Sequence, residues 1–206
     1  MTAPLGIAEI LGLAASLSLL SGWRLYLCVL ATGGAMHFGV LPLPDHLKAL
    51  AVLANPWVMG AAGLAALLEF FADKIAWLDS VWDTIHTLVR PLGGALLTLA
   101  VIDPADPATQ AVAFILGGGA SLLAHGGKAS ARAVVNTSPE PFSNVALSTA
   151  EDVMTGGLLF LAYQYPLAAG AIALVLLLVA VGLIVLARRV LKRLFAPQAE
   201  NGGTAS

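Results

Sequence analysis

Four residues between positions 79 and 90 carry side chains that could do chemistry together. Asp79, Asp83, His86 and Arg90 recur at i, i+4, i+7 and i+11, so on a helix they share one stripe about 60° wide. Two acids, an imidazole and a guanidinium that line a water-filled vestibule would bind an ion or relay protons. The alternative is an amphipathic helix on a membrane surface, with the same four side chains solvated.

A second stripe has the same spacing. Ser121, His125, Lys128 and Arg132 lie at i, i+4, i+7 and i+11, although the glycines at 126–127 weaken a continuous helix. These stripes and other polar side chains near the apolar segments form a set that we name the polar belt and predict to line a solute pathway. The polar belt consists of Arg24, Glu69, Asp73, Lys74, Asp79, Asp83, His86, Arg90, His125, Lys128, Arg132, Asn136, Asn144, Glu151 and Asp152.

Arg24 and the segment 136–141 belong to the belt for different reasons. Arg24 lies inside the first apolar stretch, and an ionisable residue within a membrane span is a functional candidate. The segment 136–141 (NTSPEP) cannot continue a helix because of its two prolines. It either lines an aqueous cavity or forms a loop at the membrane interface.

Structural interpretations of the same charges remain open. Glu69 and Asp73 can pair with nearby basic residues, because charges near a membrane core are normally partnered. Pairing between the two polar stretches, residues 69–90 and 125–152, can join Asp73 or Asp83 to Lys128 or Arg132 as readily as pairing within one stretch. Residues 148–151 (STAE) match a capping box that would open a helix, which gives Glu151 a structural role, and Asp152 would favour the first turn.

The sequence contains no recognised catalytic or cofactor motif. It lacks HExxH, GxSxG and a phosphate-binding glycine loop, so no catalytic residue and no cofactor are predicted. His86, Asp83 and His125 have no recognised metal-ligand spacing, and Cys28 is the single cysteine, so no metal site is predicted. Gly117–Gly119 lie in an apolar run, where they favour close helix packing.

Composition identifies the class of protein that must position these residues. Of the 206 residues 59% are hydrophobic and 11% are charged, with a mean hydropathy of +0.89, whereas about 25% of a soluble domain is charged. The fold class is therefore an all-α integral membrane protein, in contact with the lipid bilayer. A basic surface for nucleic acid is excluded.

Apolar segments and turns predict about six transmembrane helices in one domain, 1–195, followed by a short polar tail, 196–206, that we expect to be disordered. With six spans, eight cations fall on one side and only Lys48 in the outer loops, which predicts an inner-membrane protein with both termini cytoplasmic. The segments around Lys74 and Lys128 are similar in sequence at an offset of 54 residues. This similarity fits two span–polar segment–span repeats, and it equally fits chance similarity between membrane segments.

Several of these motifs resemble a known family. They are residues 21–27 (SGWRLYL), 69–75 (EFFADKI), 79–91 (DSVWDTIHTLVRP), 125–132 (HGGKASAR) and 136–144 (NTSPEPFSN) through 152. They are similar to the bacterial membrane family catalogued as domain of unknown function 4126. Ala76 departs from that family's pattern, which usually has proline there, so a softer break is expected after the second span. The resemblance implies a multi-pass membrane protein whose signature is the polar belt, and it supplies no substrate.

The leading functional hypothesis is a transporter or channel for a small polar or ionic solute, because a protein with so little extramembrane mass has few other uses for the belt. One rival is a membrane-embedded enzyme or lipid-headgroup binder, in which Arg90, Lys128 and Arg132 hold a phosphate and His86 with Asp83 acts as acid or base. Another is a non-catalytic scaffold. A homo-oligomer is left open.

Overall fold

The computed structural model describes residues 6–40, 51–102, 106–135 and 142–194. These residues form helices and their connections, and no strand occurs among them, which confirms the all-α fold. The six helices are α1 (Ile7–His37), α2 (Pro56–Ala72), α3 (Ala76–Val101), α4 (Pro107–Val135), α5 (Phe142–Gln164) and α6 (Pro166–Leu194). Five are long and apolar enough to cross a membrane, whereas α2 is shorter.

Local signals explain where α2 and α4 begin. The Asn55 side chain accepts a hydrogen bond from the Trp57 amide at 2.8 Å, and Pro56 occupies the first turn, where proline costs no hydrogen bond. Asp106 accepts from the amides of Ala108 and Thr109 at 3.0 Å. Bonds from Thr109 hold the pKa of the Asp106 carboxyl below its ordinary value.

Helix α1 is broken at Arg24, whose φ of −140° and ψ of 70° are not helical. Before the break, Gly12 packs against the Pro166 carbonyl. After it, the Thr32 hydroxyl lies 3.0 Å from the Tyr163 hydroxyl. Residues about 20 apart in a straight helix are about 30 Å apart, yet both contacts are with neighbouring residues at the end of α5 and the start of α6. The two halves of α1 therefore extend from Arg24 toward the same side of the protein.

This hairpin-like path changes the expected sidedness of the chain. Helix α6 begins at Pro166, beside the first half of α1, and its 29 residues carry the chain about 44 Å to the opposite side. Among the described residues, the first and last thus lie on opposite sides of the bundle. The expectation that both termini share one side is wrong for these residues, because α1 returns to the side on which it begins.

Small residues allow α1 to sit at the centre of the bundle, where it contacts all five other helices. A Cβ atom added at Gly22 would lie 2.3 Å from the Ser121 carbonyl oxygen, and one added at Gly117 would lie 2.1 Å from the Thr98 hydroxyl. The predicted role of the 117–119 glycines in packing is confirmed for Gly117. Gly119 has open space around it.

The outer surface of the bundle is apolar. Leu174, Val175 and Leu178 of α6 and Ile115 and Leu116 of α4 are exposed, as expected for helices whose outer faces contact lipid. An apolar core is formed mainly by the first half of α1, the end of α5 and the start of α6, with contributions from α3.

One local prediction is wrong. Helix α5 already begins at Phe142, so Ser148 lies inside the helix and does not cap it. Ser148 is buried, and its hydroxyl faces Arg24 and Lys74. The capping-box pattern failed because tertiary contacts, rather than the local sequence, decide what these side chains bind.

Candidate functional site

Helix α3 carries its polar stripe into the protein interior. Asp79, Asp83, His86 and Arg90 are all buried, and Arg90 has no exposed surface. The surface-helix interpretation is therefore wrong, because it requires these charges to be solvated. The second stripe is also buried, and α4 runs through Gly126–Gly127 as one helix.

Asp73 lies at the centre of the ion network and pairs with three basic side chains. Its Oδ2 atom lies 2.7 Å from Lys128 Nζ and 3.6 Å from an Arg132 nitrogen, and it also pairs with Arg24. The predicted pairing of Asp73 with Lys128 and Arg132 is thus confirmed. Burial alone would raise the pKa of the Asp73 carboxyl, but Lys128 and Arg24 outweigh that effect and hold the pKa below its ordinary value.

Arg90 holds a second group of partners beside Asp73. Its two terminal nitrogens lie 2.8 Å from Glu69 and 2.9 Å from Asp83, and one of them lies 2.7 Å from His125 Nδ1. Pro91 follows it inside α3 and removes one backbone donor there. A buried arginine with two carboxylates and an imidazole fixes α2, α3 and α4 relative to one another.

The remaining belt residues close the network on the side of α5. Arg132 lies 2.8 Å from Glu151 and 3.4 Å from Asp79. Lys74 lies 3.2 Å from Asp152, which also pairs with Arg24. The carboxylates of α5 therefore bind cations from other helices, which explains Glu151 and Asp152 better than helix capping does.

Hydrogen bonds fix the tautomer of His125 and are compatible with a neutral His86. His125 Nδ1 accepts from Arg90, which can only donate, so its other nitrogen carries the hydrogen and donates to Thr87 at 3.1 Å. His86 Nδ1 donates to the Trp82 carbonyl at 2.7 Å, and its Nε2 lies 2.8 Å from the Tyr26 hydroxyl. Both rings fit the neutral form, with Tyr26 donating to His86.

The break in α1 exposes backbone to this network. Lys128 donates to the Trp23 carbonyl and Arg90 to the Gly22 carbonyl, each at 3.4 Å. Irregular backbone at membrane depth persists only where its free N–H and C=O groups form hydrogen bonds with protein or face a water-filled cavity. The network thus supplies the donors that the interrupted helix lacks.

Buried hydroxyls extend from the network along the first half of α1. Ser21 donates to Ser121 at 3.1 Å, and Ser18 contacts Thr98. Ser121 also donates to the Arg90 carbonyl at 2.9 Å, so the hydroxyls adjoin the ion network. Except for Ser121, the sequence analysis missed this hydroxyl track, because single serines and threonines in apolar helices are common and gave no separate signal.

Of the cavities that adjoin the network, two lie on different flanks of it. The first, of about 210 Å³, is lined by residues of α3 and α4 that include Asp79, Asp83, Thr84 and Arg132. The second, of about 310 Å³, lies beside Arg24 and is lined also by Glu69, Asp152 and apolar side chains of α2. Polar side chains therefore reach open space on two flanks of the network.

Most of the predicted belt is one physical cluster, but two members cannot be placed in it. Asn136 lies outside the described residues, and so does the side chain of Asn144, although that residue belongs to α5. His86 contacts aromatic side chains: it stacks on Trp82 and meets the edge of Tyr26. Tyr26 and Trp82 were not predicted as part of the site.

Comparison with known proteins agrees with this arrangement at the level of family. A family model described as domain of unknown function (DUF4126) matches residues 11–186. The chain belongs to this family. The match covers both halves of α1 and every described belt residue. Comparisons with curated proteins and with solved structures give no match.

Proposed function

We propose that this member of the DUF4126 family is a transporter or channel for a small polar or ionic solute, and that the polar belt lines its pathway. The observation that carries the proposal is the break in α1 at Arg24, within a buried ion network. Helices interrupted at membrane depth, with their free backbone groups turned toward a polar site, are typical of transporters.

The hydroxyl track and the cavities support a pathway rather than an isolated site. On one flank, the first cavity gives Asp83 and Thr84 access to open space. On the other, the track passes Ser21 and Ser18 and leads toward the apolar core near the start of α6. In this arrangement one end of the pathway is open and the other is closed by the first half of α1.

The orientation belongs to the same proposal. Arg188, Arg189, Lys192 and Arg193 end α6, and cations concentrate on the cytoplasmic side of a membrane. We place the C-terminal end of α6 in the cytoplasm of an inner-membrane protein, with the first described residues on the outer face. The cavity at Thr84 then opens to the cytoplasm.

A lipid-headgroup binder is the second candidate, because the cavity beside Arg24 has exposed apolar walls at Leu67 and Phe70. Against it, Arg24 is already paired with Asp73 and Asp152, so a phosphate would have to displace two carboxylates. The phosphate-binding enzyme has the same difficulty at Arg90, Lys128 and Arg132.

Cysteine accessibility tests the pathway without knowledge of the solute. In a background in which the single cysteine is replaced (Cys28→Ala), Thr84→Cys and Ser18→Cys are each treated with a membrane-impermeant thiosulfonate, from either side of oriented vesicles. The matched control is Ala169→Cys, buried in the apolar core.

We expect Thr84→Cys to react from the cytoplasmic side and Ser18→Cys to react from the outer side, more slowly, while Ala169→Cys stays unmodified. Reaction of Thr84→Cys alone would indicate a one-sided site, and the transport proposal would be wrong. Reaction of neither would support the scaffold.

A further inference from the structure

We propose that Asp73, Asp79 and Asp83 bind one monovalent metal cation of the size of Na⁺, beside the cavity between α3 and α4 that Asp79 and Asp83 line. This inference rests on the proposed function, in which the cation is the solute or the ion that drives its movement. The geometry, the free oxygens and the charge of the cluster point to it separately.

The first observation is geometric. Each of these three residues offers a carboxylate oxygen, and the three oxygens lie within 4.8 Å of one another. An ion midway between two of them is at most about 2.4 Å from each, and an ion placed among all three can lie within about 2.8 Å of each, close to the range of about 2.3–2.6 Å for oxygen-ligated Ca²⁺. Na⁺ has almost the same ionic radius as Ca²⁺.

The second observation is the state of Asp79. Its side chain is only 1% exposed, and neither carboxylate oxygen has a hydrogen bond among the described residues. Arg132 lies 3.4 Å from Oδ1, which leaves Oδ2 without a partner. A buried carboxylate without partners is strongly destabilising, and a cation bound at this oxygen would stabilise it.

The third observation is the charge of the network. Its described members include six carboxylates and five basic groups, and the hydrogen bonds of both histidines fit the neutral form. With all six carboxylates ionised and both histidines neutral, the network has one negative charge in excess, which one monovalent cation would balance. A divalent ion would leave the network with an excess positive charge in a setting that already holds Lys128 and Arg132.

The cavity can complete the coordination. Thr84 donates its hydroxyl hydrogen to the Ser80 carbonyl at 2.7 Å, so the lone pairs of its oxygen remain for an ion. The volume of about 210 Å³ exceeds that of a single water, which occupies about 30 Å³ in the liquid. An ion held by Asp79 and Asp83 can thus keep several water ligands.

Equilibrium binding of ²²Na⁺ to the purified, detergent-solubilised full chain tests the site. Binding is measured at pH 8, with choline replacing Na⁺ to keep the ionic strength constant. We expect saturable binding of one Na⁺ per chain. Asp79→Asn should weaken it about tenfold or more, as loss of a ligand or of its support does elsewhere, and the exposed variant Asp106→Asn should not change it.

Three results would overturn the inference. One is the absence of saturable binding by the folded wild-type protein, which needs no variant. Another is the uptake of one proton between pH 8 and pH 6 without competition from Na⁺, which would make the balancing charge a proton. The third is tighter binding of Ca²⁺ at the same site, which would contradict the charge argument.

The two experiments can refute the cation site and the transport proposal independently of each other. If Ser18→Cys reacts from outside but ²²Na⁺ does not bind, the pathway stands and its ion is different. If ²²Na⁺ binds and depends on Asp79, but Ser18→Cys never reacts, the protein has a cation site without a pathway.

Discussion

Neutralising either partner of the Asp73–Lys128 pair should destabilise the fold, and neutralising both should cost less than the two losses together. The side chains are buried and their charged atoms lie 2.7 Å apart. Removing one partner of a buried ion pair costs about 3–5 kcal/mol, whereas a solvated pair is worth about 0–1 kcal/mol. The size of the effect therefore distinguishes a buried network from a hydrated surface.

The contacts also predict an asymmetry. Asp73→Asn leaves Arg24, Lys128 and Arg132 facing a neutral amide. We therefore expect it to lower the free energy of unfolding by about 3–5 kcal/mol. Lys128→Met leaves Asp73 with two cations, so its cost should be the smaller. The double variant removes one charge of each sign, and the coupling energy should exceed about 1 kcal/mol.

Unfolding of the solubilised protein by a denaturing detergent, followed by tryptophan fluorescence, gives these free energies. Arg189→Met changes an exposed cation at the end of α6 and should alter the free energy of unfolding by less than about 0.5 kcal/mol. If the losses of unfolding free energy in Asp73→Asn and Lys128→Met add up to that of the double variant within about 0.5 kcal/mol, the two side chains do not interact and the described network is wrong.

Three further outcomes follow from the fold. Gly22→Ala should destabilise the protein by about 1–3 kcal/mol, because its new methyl group meets α4 backbone, whereas Gly119→Ala, with open space around it, should be neutral in the same unfolding assay. Asp106→Cys and Lys192→Cys should label from opposite sides of intact vesicles, and labelling from one side would contradict the path of α6. Because the pKa of Asp73 is below its unfolded value of about 3.9, its stabilisation is complete above that pH and lost as the pH falls further. The loss of unfolding free energy below about pH 4 should therefore be smaller in Asp73→Asn than in the wild-type protein, as an acid titration of unfolding would show.

The charged residues of the site could be predicted from the sequence because they obey helical spacing. Asp83 and Arg90 are seven residues apart, so the same period that predicts a stripe also predicts that these two side chains can meet. Pairing between Asp73 and Lys128 followed from the scarcity of charge in an apolar chain, since a buried cation must find an anion. Neither argument gives distances or shows which pairs form.

The path of α1 could not be predicted from periodicity, because both of its halves are apolar and helical. One signal was available: the helix has 31 residues, whereas about 20 suffice to cross a bilayer. Ser21, Gly22 and Arg24 interrupt its apolar run near the middle. The excess length and the interruption fit either of two arrangements, one long span or two short limbs. Only the tertiary contacts of Gly12 and Thr32 distinguish these two arrangements.

Charge movement in proteoliposomes tests most directly whether the polar belt carries an ion. Vesicles that contain the protein are exposed to a rapid Na⁺ concentration jump, and the current is recorded on a solid-supported membrane, with K⁺ and H⁺ jumps for comparison. The account predicts a current that saturates with Na⁺, is lost in Asp79→Asn and is retained in Asp106→Asn. Folded wild-type protein that moves no more charge than protein-free vesicles, with any of the three ions, would contradict it.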